Sequence, residues 1–515
     1  MHNKMKTTEM LNGMIIGAAL AAAVAAPASA NAAAFEPTWE SLAEHGTPAW
    51  FEDSRLGIFC HWGVQCVPEY GDWYARRMYF DENAADVYMD GKEQRQGKFH
   101  RERYGDPKEF GFKDFIPLWK AEKWDPAKLC ALYREMGASY IVAMANHHDN
   151  FDNWDSAFQP WNSVNMGPKR DIVGEWSRAA RAEGLKFGVS VHAMHVMGWM
   201  EPSRKYDGML TRADGKGKWW EGYDPQDLYE QATHGATNQK DDLHFWWWDH
   251  CIEDVPASFV SRFYLRTMDL VGKYRPDLIY FDNCYLPLWP RSDVGLRLIA
   301  DYYNAGRAWH QGRDEVVVTS KNLTNKMRKC VTLDVERSAI PGPLYPHWQT
   351  DTCIGEWHYD RAVYDRDGYK SAAEVLRVLA DAVSKNGNLL LSIPIRADGS
   401  IDEKELAVCR EIAAWMKACG ECVRGVTVAD PCAEGPLTDA IIKHKDDSFN
   451  ERFLPKPTVD DIRYTKKGDV VYAIALVPPE EGKTPAFKAL GSRKPNSVER
   501  LPQVGACPAV WKISF

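Results

Sequence analysis

The chain lacks a surplus of basic residues. Its 63 Lys and Arg face 72 Asp and Glu, for a formal charge of −9 and an isoelectric point near 6.0. A nucleic-acid partner usually needs a basic face, so that class of partner is not expected. The chain also lacks a run of apolar residues fit to span a membrane. Its longest run lies in residues 1–30 and is too short and alanine-rich for a stable span. There is no internal repeat and no other low-complexity tract. No HExxH motif is present. The lone CxxC, Cys419-Gly420-Glu421-Cys422, has no second pair at zinc-ribbon spacing and no thioredoxin-like setting. It reads as a local disulfide or two plain thiols. Neither a metal nor a cofactor is expected.

What is present points to an exported globular protein. Its 515 residues, 45% hydrophobic and 26% charged, exceed one ordinary core and suggest a large domain with a smaller one. Lys4 and Lys6 precede the apolar stretch Met14 to Leu20, which runs on through Ala26 to Ala28-Ser29-Ala30. This is the pattern of a signal peptide cleaved after Ala30 or a few residues later, with a periplasmic or extracellular destination. Twelve cysteines could pair in such a compartment, but spacing does not fix their connectivity. The 21 Trp residues fit either a large aromatic core or a sugar site, since indole packs on the C–H face of a sugar ring.

From Leu56 onward, apolar runs alternate with amphipathic stretches. Eight strands are expected, starting at Leu56, Tyr140, Lys186, Leu278, Glu315, Cys330, Gln349 and Asn388. Helical spacing falls at Pro126–Gly137, Arg170–Gly184, Ser258–Tyr274, Val294–Trp309, Ser371–Lys385 and Ile401–Cys419. The beat fits an α/β fold, a (β/α)8 TIM-like barrel with insertions over residues 31–422, with thin helical signal between the fifth and seventh strands. Residues 80–113 and 198–250 are insertions, the second carrying Trp219-Trp220 and Trp246-Trp247-Trp248. Long insertions of this kind usually wall a barrel's mouth. The trio Trp246 to Trp248 is better read as a satellite core. Beyond Cys422 short strands with turn signals suggest a small C-terminal β-sandwich over 423–515, with a hairpin at Lys466-Lys467-Gly468-Asp469.

Polar residues gather at the expected strand ends: His61, His147, His148, His192, Asp282, Lys321 and Glu336. In a barrel those ends converge on one face, where active sites form. Two carboxylates there match glycoside hydrolysis, with Asp282 as nucleophile and Glu336 as proton donor. A cap or structural ion pair would equally place an acid at 282, and a salt bridge to Arg337 or a nearby cation an acid at 336. His147 and His148 could hold a metal. Hydrogen bonds from their imidazoles to sugar hydroxyls fit better, because imidazole both donates and accepts.

Three motifs carry a resemblance. Trp50-Phe51 with Gly57-Ile58-Phe59-Cys60-His61-Trp62-Gly63, Val67-Pro68 and Gly71-Asp72-Trp73-Tyr74 resembles the opening of the α-L-fucosidases of glycoside hydrolase family 29. His147-His148-Asp149-Asn150-Phe151 with Trp154-Asp155-Ser156, and Gly387 to Ile393 with Asp398-Gly399, resemble two later motifs of that family. The resemblance covers about residues 36–480. It implies an irregular (β/α)8 barrel with a C-terminal β-sandwich, and retaining hydrolysis of terminal α-L-fucose from a fucosylated oligosaccharide or polysaccharide, without metal. It implies Asp282 as nucleophile and Glu336 as acid/base. His61, Asp72, Trp73, His147 and His148 match residues that hold the sugar, Tyr280 would line the pocket, and Trp357 would close it. Three positions depart from the family pattern. The third strand reads Val189-Ser190-Val191-His192 where a tyrosine pair is usual, and Asn283 and Ser338 stand where glycine is common. His192 thereby joins the candidate pocket wall, a galactose-like or substituted fucose becomes an alternative substrate, and a barrel that binds glycans without hydrolysing them is the other alternative, against which the intact Asp282 and Glu336 speak.

Overall fold

In a computed structural model of the chain, the strand–helix alternation closes on itself. Residues 34–80, 95–232, 255–443 and 449–515 are described. The expected signal peptide and Trp246 to Trp248 lie outside them. Eight parallel strands form a closed barrel in sequence order. They are β1 Leu56–Cys60, β2 Tyr140–Asn146, β3 Lys186–Val191, β4 Leu278–Cys284, β5 Val317–Lys321, β6 Thr332–Glu336, β7 Trp348–Cys353 and β8 Gly387–Ser392. Each expected strand is found. β5 and β6 each start two residues late, at Val317 and Thr332 in place of Glu315 and Cys330, and the Val317 N–H bonds the Asp277 carbonyl.

Both faces of these strands are buried, which is why their sequences read as continuous apolar runs. Alternate residues nevertheless enter different cores. Leu278 and Tyr280 of β4 face the barrel interior with Phe59, Tyr140, Val142, Val317 and Leu390. Ile279 and Phe281 face the surrounding helices. Gly57 on β1 allows this interior to close, since a Cβ there would sit 2.2 Å from the Tyr140 ring.

The six expected helices are found as α1 Pro126–Glu135, α2 Ile172–Ala182, α3 Ala257–Tyr274, α4 Val294–Trp309, α5 Ala372–Ser384 and α6 Glu403–Cys419, with shorter helices beside them. Four of these six starts are capped by a side chain. Asp125, Asp171 and Asp402 each accept a hydrogen bond from the first turn, and Ser371 makes a capping box with Glu374. Only a 3-10 turn, Met327–Lys329, separates β5 from β6, and no helix lies between β6 and β7 among the described residues. The thin helical signal there was a true absence.

After the barrel, β9 Thr427–Glu434, β10 Ile462–Lys467, β11 Val470–Ala475, β12 Ser497–Arg500 and β13 Ala509–Ser514 form an antiparallel sheet in the order β12-β13-β11-β10-β9. The expected hairpin joins β10 to β11, pairing Lys467 with Val470 around Gly468 at φ +58°. β12 escapes the sequence pattern. It is an exposed edge with one apolar side chain, Val498. Tyr472, Ile474 and Val510 share the barrel's outer core with Trp415 of α6. Arg463 of β10 is fully buried and bonds Asp381 of α5 at 2.6 Å, and Asp381 also binds Lys385.

Candidate active site

Strand parity delivers the polar residues to one place. Asp282 follows Leu278 and Tyr280 at the inward positions of β4, Lys321 follows Val317 on β5, and Glu336 follows Asp334 on β6. Register breaks help aim them. Between Tyr280 and Cys284, β4 spends four residues where β5 spends two, from Thr319 to Lys321. A similar slip separates Met144 from Asn146 on β2, just before His147. Irregularities of this kind release a side chain from the ladder and redirect it.

Lys321 joins the two carboxylates. Its Nζ donates to Asp282 Oδ1 at 2.7 Å and makes a very short contact with Glu336 Oε2. Two oxygens bound to one nitrogen lie at most about 6 Å apart by ordinary hydrogen-bond lengths. Asp282 Oδ2 receives His192 Nδ1 at 3.0 Å and lies 3.3 Å from His148 Nε2. Burial alone would raise the Asp282 carboxyl. The Lys321 ammonium and the His192 and His148 contacts outweigh it and hold the group well below the usual carboxylate range. Glu336 is pushed the other way, to about 7, by burial and by the nearby Asp351 and Asp282, with Lys321 opposing. The two acids are driven apart by their surroundings, the arrangement that separates an ionised carboxylate from a protonated one.

Beneath this pair lies a polar layer inside the barrel. Tyr280 donates to Asp351 Oδ2 at 2.8 Å and lies 3.3 Å from Asp334 Oδ1. Gln349 Nε2 donates to Asp334 Oδ2 at 2.7 Å, and Tyr140 donates to Gln349 Oε1 at 2.6 Å. Burial raises Asp334 to about 7 and Asp351 well above its usual value. Tyr280 is itself fully buried, so it forms floor beneath His192 and Lys321.

The imidazoles form the wall. His61, His147, His148 and His192 are each at most 5% exposed, with His358 beside them. Burial, then neighbouring imidazoles, push His61 and His147 well below the usual histidine value. His192 is lowered to about 4, chiefly by burial, although Asp282 opposes this. These three rings are neutral at pH 7 and can both donate and accept. Gln65 Nε2 sits 2.7 Å from His147 Nδ1, and His358 Nδ1 sits 2.5 Å from Asp72 Oδ1. His61 Nδ1 and His358 Nε2 are buried without a protein partner. Buried polar atoms are seldom left so, and two together suit a ligand that brings hydroxyls.

Two indoles frame the mouth. Trp357 is half-buried, its ring 5.2 Å from His61. Trp73 is half-buried, 6.2 Å from His148 and 6.0 Å from Trp199, with Arg77 over its face at 5.1 Å. Its φ of +62° is a left-handed conformation rare for so large a residue, and such strain concentrates at functional sites. Every residue expected in the pocket thus falls within one cluster. His358, Gln65, Ser190, Trp199 and Asp351 were not foreseen. His358 directly follows Trp357, and that adjacency was the available signal. Asp351 lay hidden in the weakest strand. Of the insertion pair, Trp220 is buried and Trp219 is 42% exposed, its indole N–H donating to Asp114 at 2.9 Å.

Among the described residues, three sets of side chains bring donor atoms within 4.8 Å of one another, close enough for a cation: His61/His147/His192, Asp72/His147/His358 and His148/His192/Asp282. Two of the sets need His192, whose Nδ1 is bonded to Asp282 and whose Nε2 is 2.9 Å from Ser190 Oγ. The donor set suits hydroxyl recognition better than a metal.

Comparison with known proteins agrees with this geometry. The family model described as Alpha-L-fucosidase matches residues 22–421. The tissue α-L-fucosidase of Rattus norvegicus is 28% identical over 461 residues, covering 87% of this chain and 80% of its own. The tissue enzyme of Homo sapiens is likewise 28% identical, over 87% and 79%. The structure of the α-fucosidase of Thermotoga maritima in complex with a mechanism-based inhibitor is 25% identical, covers 93% of this chain and 96% of its own, and superposes with a TM-score of 0.60. A barrel of this order, two acids on one ammonium and a match running through both halves of the pocket place the chain in the α-L-fucosidase family, glycoside hydrolase family 29.

Proposed function

We propose that this protein is a retaining exo-glycosidase that removes terminal α-L-fucose from a fucosylated oligosaccharide or polysaccharide. The observation that carries this reading is the Asp282–Lys321–Glu336 bridge. Retaining glycosidases hold their carboxyl groups about 5–5.5 Å apart, whereas inverting enzymes need about 6.5–9.5 Å to admit water. A single ammonium bonded to both acids keeps their nearest oxygens within about 6 Å and favours the first class.

Asp282, ionised, attacks the anomeric carbon while Glu336 passes its proton to the departing oxygen. A glycosyl ester on Asp282 results. Glu336, now a carboxylate, takes a proton from water, whose oxygen attacks the same carbon and releases Asp282. Two inversions give retention. Negative charge leaves Asp282 as the ester forms and reappears on Glu336, and Lys321 is bonded to both. His61, His147 and His148, with Asp72, hold the hydroxyls, and His192, bonded through both ring nitrogens, orients Asp282. Trp73 and Trp357 pack against the apolar edge of the sugar, including its C6 methyl. Exposed Trp219 supports a glycan that extends past the fucose. His192 on the nucleophile favours a second reading of the substrate, a galactose-like or substituted fucose.

The proposed organisation is a signal peptide over 1–30, a catalytic barrel over 31–422 and a β module over 423–515, with export to the periplasm or beyond. Among the described residues no helix is long and apolar enough to cross a membrane.

The test is hydrolysis of p-nitrophenyl α-L-fucoside beside the α-D-galactoside by wild type, Asp282→Ala and Glu336→Ala. Asp282→Ala should lose on the order of 10⁴-fold in kcat, and azide should rescue it to a product of inverted configuration. Glu336→Ala should lose about 10²- to 10⁴-fold on unactivated glycosides and less on activated ones. Near wild-type turnover by Asp282→Ala would falsify the nucleophile assignment. Faster galactoside than fucoside cleavage would favour the second substrate.

A further inference from the structure

Glu336 ends its strand at a turn that a distant segment grips. Arg337, the next residue, has φ +48° and bends the chain away from the barrel. Its N–H still bonds the Asp351 carbonyl of β7 at 2.9 Å, so one side of the turn is tied to the barrel. The other side is tied to residues 449–451, which follow β9 and precede β10. The Phe449 N–H donates to the Glu336 carbonyl at 2.9 Å, and the Glu451 N–H donates to the Arg337 carbonyl at 3.1 Å. Asn450 takes both backbone groups of Ala339: its Oδ1 accepts the N–H at 2.9 Å, and its Nδ2 donates to the carbonyl at 2.8 Å.

Side chains complete the grip. The Ser338 hydroxyl donates to the Glu336 carbonyl at 2.9 Å and accepts the Asn450 N–H at 3.1 Å. A glycine at 338 would leave both bonds unmade. Glu451 Oε1 pairs with Arg337 Nε at 2.6 Å and lies 3.4 Å from Lys370 Nζ. Its Oε2 accepts from Thr352 Oγ1 of β7 at 3.0 Å. Asn450 is 3% exposed and Ser338 6%, so these bonds are shielded from water. Arg337 is thereby drawn away from Glu336, the partner that its sequence adjacency suggested.

No helix packs between β6 and β7 among the described residues, so the turn is held by β7, whose Thr350 hydroxyl also donates to the Ser338 carbonyl at 3.0 Å, and by residues 449–451. A carboxylic acid that must place a proton on a departing oxygen needs its backbone held to a fraction of an ångström, and a misplacement of about 1 Å can cost 10²-fold. We propose that Asn450 and Glu451, together with Ser338, are positioning residues that hold Glu336 for proton transfer. This rests on the reading of Glu336 as the acid/base.

The test is kcat/KM across aryl α-L-fucosides of graded leaving-group acidity, with a natural-type oligosaccharide at the unactivated end. Wild type, Glu451→Ala, Ser338→Gly and Glu336→Ala are compared, each with its thermal unfolding. kcat/KM reports the step in which the leaving oxygen is protonated, so a misplaced acid shows as a steeper dependence on leaving group. Glu451→Ala should fall roughly tenfold on the oligosaccharide and less than about twofold on the most activated aryl fucoside. Ser338→Gly should fall in the same pattern by a smaller factor. An equal loss on every substrate, or none, in both variants while Glu336→Ala is steep would overturn the positioning role. A flat response from Glu336→Ala would overturn the acid/base assignment itself, and the proposal with it. Should Glu451→Ala not fold, Ser338→Gly decides alone.

Discussion

Replacing Lys321 by Met tests the electrostatics of the pocket in one step. The side chain keeps a similar length and loses its charge. With Asp282 as the proposed nucleophile and Glu336 as the proposed acid, the kcat/KM profile of the wild type is expected to be a bell that needs Asp282 ionised and Glu336 protonated. Its acid limb follows Asp282, which lies well below the usual carboxylate range, and its alkaline limb follows Glu336 at about 7. The ammonium touches both acids and opposes proton binding at each. Without it both limbs move to higher pH. A cation in direct contact shifts a carboxyl by about 1–3 units, so the alkaline limb climbs from about 7 by that amount. This corresponds to about 1.4–4 kcal/mol. The anion left on Glu336 after proton transfer also loses its counter-charge. At the new optimum kcat/KM should therefore fall on the order of a hundredfold. The assay is the full pH profile on an aryl α-L-fucoside, with unfolding followed at each pH to exclude denaturation. Unmoved limbs, or an alkaline limb that descends, would refute the account of how the two acids are kept apart.

Stability should respond to Glu336 as well. Its native value of about 7 lies above the ordinary 4.5, so between those values the folded chain binds more protons than the unfolded one and stability falls as pH rises. Glu336→Gln removes that fall. Relative to wild type the variant should gain up to about 3 kcal/mol between pH 4.5 and 8 by urea unfolding, and a constant difference across the window would count against the raised value. Arg266→Met should destabilise by about 3–5 kcal/mol. Arg266 is 3% exposed and binds Asp152, which is fully buried, while Asn146 donates to the same carboxylate just before His147. A cost below about 1 kcal/mol in urea unfolding would show that this pair does not anchor the histidine loop.

Much of the fold was legible because a parallel barrel strand is a short apolar run closed by something polar. Leu278 to Asp282 and Lys186 to His192 show this plainly. β12 was not legible, since an exposed edge needs no apolar alternation. The candidate pocket was readable where a polar residue ends a strand, as with Asp282, Lys321 and Glu336. It was not readable where residues act across the barrel. Asp351 sits in the strand with the weakest pattern, because its inward positions carry Gln349 and Asp351 in place of aliphatic side chains. Gln65 and Ser190 matter only through the histidines they face. The partner of Arg337 could not be found by adjacency, because Glu451 is brought to it by the chain's return after β9.

The missing helix between β6 and β7 has a consequence for anyone trimming or recombining this chain. In many barrels an appended β module can be deleted or exchanged while the core enzyme stays active. Here the module's return path covers the gap in the helical ring, and Arg463 is buried against α5. A truncation after Cys422 would uncover the β6–β7 arc of the wall, which has no helix of its own among the described residues. A transplanted module would need to carry residues 449–451 in register. By the role proposed for residues 449–451, the appendage belongs to the enzyme's minimal unit.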